Sequence, residues 1–173
     1  AVEVVNSLDC SKVLFIPDKN LGDYVAKNTD KEIIFWDGYC PTHNHMLESD
    51  VHLSKISHAD AEILAHPECR REILEKADHI FSTTGMTRHC SSSDSKEFII
   101  ATENGLLHRL RKENPDKHFY PCSEYAICPD MKTIDPASVL ACLENEEYEV
   151  RVEEKVTAQA KKALDRMLEA GRA

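Results

Sequence analysis

Short, largely apolar runs recur through most of this chain at residues 13–16, 32–36, 61–65, 79–81, 98–101 and 118–120, and they constrain its fold more than any other feature. A strand with one wet face alternates apolar and polar residues, whereas runs such as Phe98-Ile99-Ile100-Ala101 are apolar at every position and need cover on both faces. The segments between them supply that cover. In 104–113, Leu106, Leu107 and Leu110 share one side of a helix while Arg109, Arg111 and Lys112 point outward. Helices are also predicted over 68–77 and, as a short element, within 20–29. Strands alternating with amphipathic helices predict an α/β architecture with a parallel sheet covered on both faces. Past residue 128 the strand pattern stops. Asp135 is placed to cap a helix with Pro136 at its first position and Val139, Leu140 and Leu143 on one side. A last helix is predicted from about residue 156, with Ala160, Ala163, Leu164, Met167 and Leu168 at helical spacing.

Charge and cysteine content narrow the function classes. With 31 acidic against 21 basic residues, the net charge of -10 repels phosphate backbones, so nucleic acid is not an expected partner. No apolar run approaches the roughly 20 residues of a membrane span, and the first residues lack the basic start of a secretion signal, so a cytoplasmic protein is expected. Seven scattered cysteines favour metal ligation or buried thiols over a disulfide framework. The chain opens without Met, and residues 1–8 are patterned like the middle of a helix, which predicts a C-terminal piece of a longer protein.

Chemistry-bearing residues gather where strands are predicted to end, the usual ligand-binding edge of an open α/β sheet. In Trp36-Asp37-Gly38-Tyr39-Cys40-Pro41-Thr42-His43, a thiol precedes an imidazole by three positions, a spacing that suits a metal ligand beside a proton carrier but also fits a half-buried Cys next to a surface His. Cys128 precedes Pro129, which forces the cysteine toward extended backbone, a pattern also found where cysteines hold iron-sulfur clusters. Cys122 could be a second ligand or a small buried residue, the latter being the commoner case. His66-Pro67-Glu68 follows one strand and is predicted to open the 68–77 helix, whose free N–H groups could meet a carboxylate or phosphate. Glu68 is a general acid or base, or simply an acidic residue in a first turn. Cys69 is predicted to lie one step into that helix, turned from the cleft. Ser82-Thr83-Thr84-Gly85 has the composition of an anion-binding turn and equally that of a helix cap. The Ser91-to-Ser95 stretch reads as a surface loop, and Thr102-Glu103 as capping residues with a lesser chance of lining the cleft.

Taken in order, Pro17-Asp18-Lys19-Asn20-Leu21-Gly22, Trp36-x-Gly38-x-Cys40-x-x-His43, His66-Pro67-Glu68, Ser82-Thr83, Glu97-Phe98-Ile99 with Thr102-Glu103, and Cys128-Pro129-x-Met131-Lys132 resemble the quinolinate synthases over the whole chain. The resemblance implies three similar αβα sandwich domains around one site, with this chain holding the end of the second domain (1–40), the third (41–128) and a C-terminal helical segment (129–173) that packs toward the first. It implies a 4Fe-4S cluster with Cys40 and Cys128 as two of three cysteine ligands, the third lying upstream. It also implies condensation of iminoaspartate with dihydroxyacetone phosphate to quinolinate for NAD biosynthesis, with L-aspartate oxidase or aspartate dehydrogenase supplying iminoaspartate. His43, His66 and Glu68 would then be catalytic, and His66, Pro67, Glu68, Ser82 and Thr83 would bind substrate. Without the resemblance, a non-catalytic αβα module that binds a small anion is the rival reading, and Cys10, Cys69, Cys90 and Cys142 have no assigned role.

Overall fold

The computed structural model describes residues 1–171. In chain order its regular elements are α1 (Val2–Ser7), β1 (Lys12–Phe15), α2 (Lys19–Ala26), β2 (Glu32–Phe35), α3 (Pro41–Asn44), α4 (Glu48–Ser57), β3 (Glu62–Ala65) and α5 (Arg71–Leu74). They continue with β4 (His79–Ile80), α6 (Thr83–Ser92), β5 (Glu97–Ala101), α7 (Gly105–Glu113), β6 (His118–Pro121), a 3₁₀ turn at Met131–Thr133, α8 (Pro136–Asn145) and α9 (Glu154–Ala170). Two compact units result: residues 12–128, and residues 1–11 with the chain from 129 onward.

The larger unit holds two parallel sheets. β1 pairs with β2, Lys12 opposite Glu32 and Phe15 opposite Phe35. The other four strands run β4-β3-β5-β6, all parallel, with Glu62 opposite Phe98 and Phe98 opposite Phe119. Because β3 and β5 are apolar at every position after an opening Glu, their side chains divide between two cores. Ile63, Ala65, Ile99 and Ala101 face one way and pack with Met46, Val51, Cys69 and Ile73. Leu64, Phe98, Ile100 and Phe119 face the other and pack with Met86, Cys90, Leu107 and Leu110. This is the doubly covered parallel sheet that the continuous runs predict. The β1–β2 pair is different: Leu14, Ile34, Phe35 and Trp36 are exposed apolar residues.

In the smaller unit α1 lies against α9, with Val4 and Leu8 beside Ala163 and Met167. Asp135 Oδ1 accepts the Ser138 N–H at 2.7 Å, so the predicted cap and the Pro136 start of α8 are both present. Val139, Leu140 and Leu143 remain exposed. No helix of the described residues is long and apolar enough to cross a membrane.

Four elements differ from the sequence reading. The helix expected over 68–77 shrinks to the single turn α5, which begins at Arg71, because residues 66–69 form a turn closed by the Cys69 N–H on the His66 carbonyl. Helices α3 and α4 were not anticipated; few of their residues are apolar, and only Thr42, His43 and Val51 are buried. The Ser91-to-Ser95 stretch is not all loop, since Ser91 and Ser92 close α6.

Phe98 is fully buried and stacks on Phe119 with ring centroids 5.5 Å apart. Truncation to Ala opens a cavity that the flanking strands cannot close. Phe98→Ala is expected to destabilise the unit by about 3–5 kcal/mol, read from the midpoint of urea unfolding.

Candidate functional site

Cys40 is the residue before the first turn of α3, with Pro41 at the first helical position. Two neighbours fix its backbone. A methyl on Gly38 would run into the Pro17 carbonyl oxygen and the Trp36 ring, and that tight approach lets the Gly38 carbonyl accept the Lys19 N–H at 2.8 Å. Asp18, 4% exposed, accepts the Leu21 N–H on Oδ1 and the Cys40 N–H on Oδ2, both at 2.7 Å. One buried carboxylate thus caps α2 and holds the cysteine.

His43 lies one turn along α3 and is buried. Its Nε2 is 2.9 Å from Thr102 Oγ1, and its Nδ1 is 3.0 Å from Glu68 Oε2. That second contact is within ion-pair range but lacks hydrogen-bond alignment, so Nδ1 has no hydrogen-bond partner among the described residues. His66, immediately after β3, stacks on His43 with centroids 4.5 Å apart and planes 14° from parallel. Its Nδ1 accepts the Glu68 N–H at 3.4 Å, which puts the ring proton of the neutral form on Nε2. The Cys40 sulfur, a His43 ring nitrogen and a Glu68 carboxylate oxygen lie within 4.8 Å of one another.

Burial lowers the pKa of His66 to about 4, with His43 adding to the shift and Glu68 opposing it. The His43 ring beside Glu68 holds that carboxyl below the ordinary carboxylate value, against its own burial. At neutral pH the site therefore holds an uncharged His66 next to an ionised Glu68.

Cys128 reaches the same strand edge by another route. The loop before it hangs on Asn104, whose Nδ2 donates to the carbonyls of Ser123 and Glu124 at 3.0 and 3.2 Å and whose N–H donates to Ala126 O at 2.8 Å. Glu103, 8% exposed, accepts the Gly105 N–H at the start of α7 on Oε2 at 2.7 Å, and the Cys128 N–H on Oε1 at 3.4 Å. Thr102 touches His43 and the adjacent Glu103 touches Cys128, so segments far apart in sequence meet at consecutive residues after β5. The remaining cysteines sort by burial. Cys69, Cys90 and Cys122 are buried, and burial pushes their thiols up, to about 11 for Cys90 and about 12 for Cys122. Cys10 and Cys142 are exposed, while Cys40 and Cys128 are half-buried. A buried thiol that resists ionisation is a poor ligand.

Two expectations about the site change. His66-Pro67-Glu68 opens no helix, so no helix field acts on a ligand there. The polar groups of the turn are taken by tertiary contacts instead: Asn20 Nδ2 donates to Glu68 O at 3.1 Å, and the Cys69 thiol donates to Ala101 O at 3.4 Å. Cys69 is accordingly in the turn rather than in a helix, and it is buried. Ser82 is the cap of α6, accepting the Gly85 N–H at 3.2 Å, and Thr83 is the first helical residue. No hydrogen bond or ion pair joins either to the Cys40, His43 and Glu68 group among the described residues. Sequence reasoning missed Asp18 and Asn20, although an Asp immediately before a helix-forming stretch is a capping signal. Thr102 and Glu103, which the sequence marks first as capping residues, line the cleft through His43 and Cys128.

Residues 1–169 match the family model described as NadA, quinolinate synthetase A protein. The chain is 54% identical over 168 residues to quinolinate synthase of Methanosarcina barkeri, covering 97% of this chain and 55% of the relative. It is 46% identical over 169 residues to quinolinate synthase of Thermodesulfovibrio yellowstonii (97% and 56%), and 43% identical over 169 residues to that of Clostridium novyi (96% and 56%). The chain thus spans little more than half the length of these relatives.

Asp18→Ala removes a cap and leaves two backbone donors unpaired, and is expected to cost about 1–2 kcal/mol in urea unfolding. A pH series checks the histidine. Between pH 6.5 and about 4 the unfolded chain takes up a proton on His66 that the folded chain refuses, so stability falls as pH is lowered through that window. The His66→Gln variant is expected to show a shallower loss over the same range.

Proposed function

Because the chain belongs to the quinolinate synthetase A protein family, we propose that it forms part of a quinolinate synthase that condenses iminoaspartate with dihydroxyacetone phosphate, in the cytoplasm, for NAD biosynthesis. The observation that carries this reading is the meeting of Cys40, His43 and Glu68 within 4.8 Å at the strand edge, and the Cys128 N–H bound by Glu103 just past the end of β5 supports it. In this reading residues 1–40 end one αβα domain, 41–128 form the next and 129–173 follow as a helical segment. The exposed apolar side chains of β1 and β2 support it, since they suit a sheet layer completed by further chain.

The donor set fits a 4Fe-4S cluster. Cys40 and Cys128 are the two half-buried thiols of the larger unit, and a buried ring nitrogen without a hydrogen-bond partner stands beside the first. Cys40 and Cys128 would hold it, with a third cysteine from the part of the family's length that this chain does not span. When bound, the cluster supplies an iron with an open position that acts as a Lewis acid on a substrate oxygen or nitrogen.

The protein side chains divide the proton work according to their charge. Ionised Glu68 accepts a proton from the substrate. His66, kept neutral, donates a hydrogen bond through Nε2 to a developing oxyanion or a departing oxygen. His43, held at Nε2 by Thr102, places its ring against Glu68 and His66 and so positions both. Asp18 and Glu103 act at one remove, as positioning residues for the two cysteine backbones. Ser82 and Thr83 are the weakest members of the expected set, because α6 already uses the Ser82 hydroxyl as its cap. L-aspartate oxidase or aspartate dehydrogenase would supply the unstable imine.

Iron and sulfide content and quinolinate formation by the anaerobically prepared complete protein test the reading. About four irons per chain are expected. Cys40→Ser and Cys128→Ser should each lose the cluster and activity, while Cys90→Ala and Cys122→Ala keep both. Glu68→Gln should keep the iron and lower kcat by about 10²–10⁴-fold. Full iron content and activity in both serine variants would remove the assignment.

A further inference from the structure

A second cluster of ligating side chains sits at the opposite end of β3 from His66. Glu62 is the first residue of β3, His79 the first of β4, and His89 lies in the last turn of α6. One ligand atom from each lies within 4.8 Å of the other two. Glu62 Oε2 is 2.8 Å from His89 Nε2 and 3.9 Å from His79 Nε2, and the two imidazole centroids are 4.4 Å apart. With Zn–N and Zn–O bonds of about 2.0–2.1 Å, tetrahedral ligands stand about 3.3 Å apart, and the two Glu62–imidazole separations of 2.8 and 3.9 Å bracket that spacing.

We propose that Glu62, His79 and His89 form a metal site distinct from the cysteine site, taking a divalent ion of borderline softness such as Zn²⁺ on two imidazole nitrogens and one carboxylate oxygen. The two oxygens of Glu62 have separate duties. Oε1 accepts the hydroxyls of Ser95 and, at 3.5 Å, Ser93, while Oε2 faces both imidazoles. That division makes the carboxylate a single-oxygen ligand held by outer hydrogen bonds, as metal-binding carboxylates commonly are. The rings are set by packing: His79 stacks on Phe81 at 5.4 Å, and the buried Phe98 presents itself edge-on to His89 at 6.2 Å. Both imidazoles converge through Nε2. His79 is 41% exposed, so an ion can enter from solvent and keep water in its fourth position. Two imidazoles with one carboxylate suit Zn²⁺ or Co²⁺ better than Mg²⁺ or Ca²⁺, which prefer all-oxygen sites. An ion here would tie α6 to β3 and β4, which are already paired as neighbouring parallel strands.

Titration of the complete protein with Co²⁺, followed by Zn²⁺ displacement, tests the site by a readout independent of quinolinate formation. Binding of about one Co²⁺ is expected with visible ligand-field bands and no thiolate-to-cobalt charge transfer, which separates this site from the cysteines. Zn²⁺ should raise the Tm. His79→Ala and His89→Ala should weaken binding by at least about 100-fold and abolish the Tm shift, while Cys40→Ser keeps both. The metal-free Tm of each variant reports its folding, and the half-exposed His79→Ala decides alone if His89→Ala fails to fold. Binding that survives both substitutions, or cobalt bound only with a thiolate band, would overturn the proposal.

Discussion

Two buried carboxylates hold the site together. Asp18 and Glu103 each follow a strand, each accepts a backbone N–H at the start of the next helix, and each uses its other oxygen on the backbone N–H of a cysteine. The arrangement converts helix capping into cysteine positioning. A carboxylate shielded from water interacts strongly with the donors that face it, and both oxygens are occupied, so burial is offset by bonds the solvent would otherwise make. The clamps are not equal. Cys40 is held at 2.7 Å and Cys128 at 3.4 Å, so the second cysteine depends more on the loop that Asn104 suspends.

Around these clamps the fold separates rigid from reactive. The sheet β4-β3-β5-β6 is packed on both faces, and its polar side chains are moved to the two strand ends. At one end lie His66, Thr102 and Glu103; at the other lie Glu62 and His79. A core built only of apolar residues leaves no competing partners for these polar groups, so they pair with each other. The stacked His43 and His66 rings illustrate the consequence. Two imidazoles in contact within a partly dry pocket resist carrying charge together, and Glu68 takes the role of the ionised member.

Much of this was legible in the residues. Largely apolar runs without alternation can be satisfied only by a sheet with two covers, so 61–65, 98–101 and 118–120 announced the parallel sheet and its helices. Asp135 before Pro136 announced α8, since both residues have a local preference for that place. The misreadings fell where tertiary contacts outweigh local preference. Residues 68–77 have helical periodicity, but Asn20 claims the Glu68 carbonyl and Ala101 claims the Cys69 thiol, and the helix starts late. α3 and α4 carry too few apolar residues to show a period, and depend on the cores they cover.

From the chain of residues alone came the α/β architecture, the placement of Cys40 and His66 after strands, and the resemblance that named a family. Periodicity and motif order are properties of neighbours along the polypeptide, so they survive without coordinates. Only the folded structure decided which thiols stay out of the cores, which carboxylates hold them, and that Glu68 belongs to His43 while Glu62 belongs to His79 and His89. Those pairings join residues 17 to 27 positions apart, and distance in space between such groups is set by sheet register and packing, which no local pattern encodes.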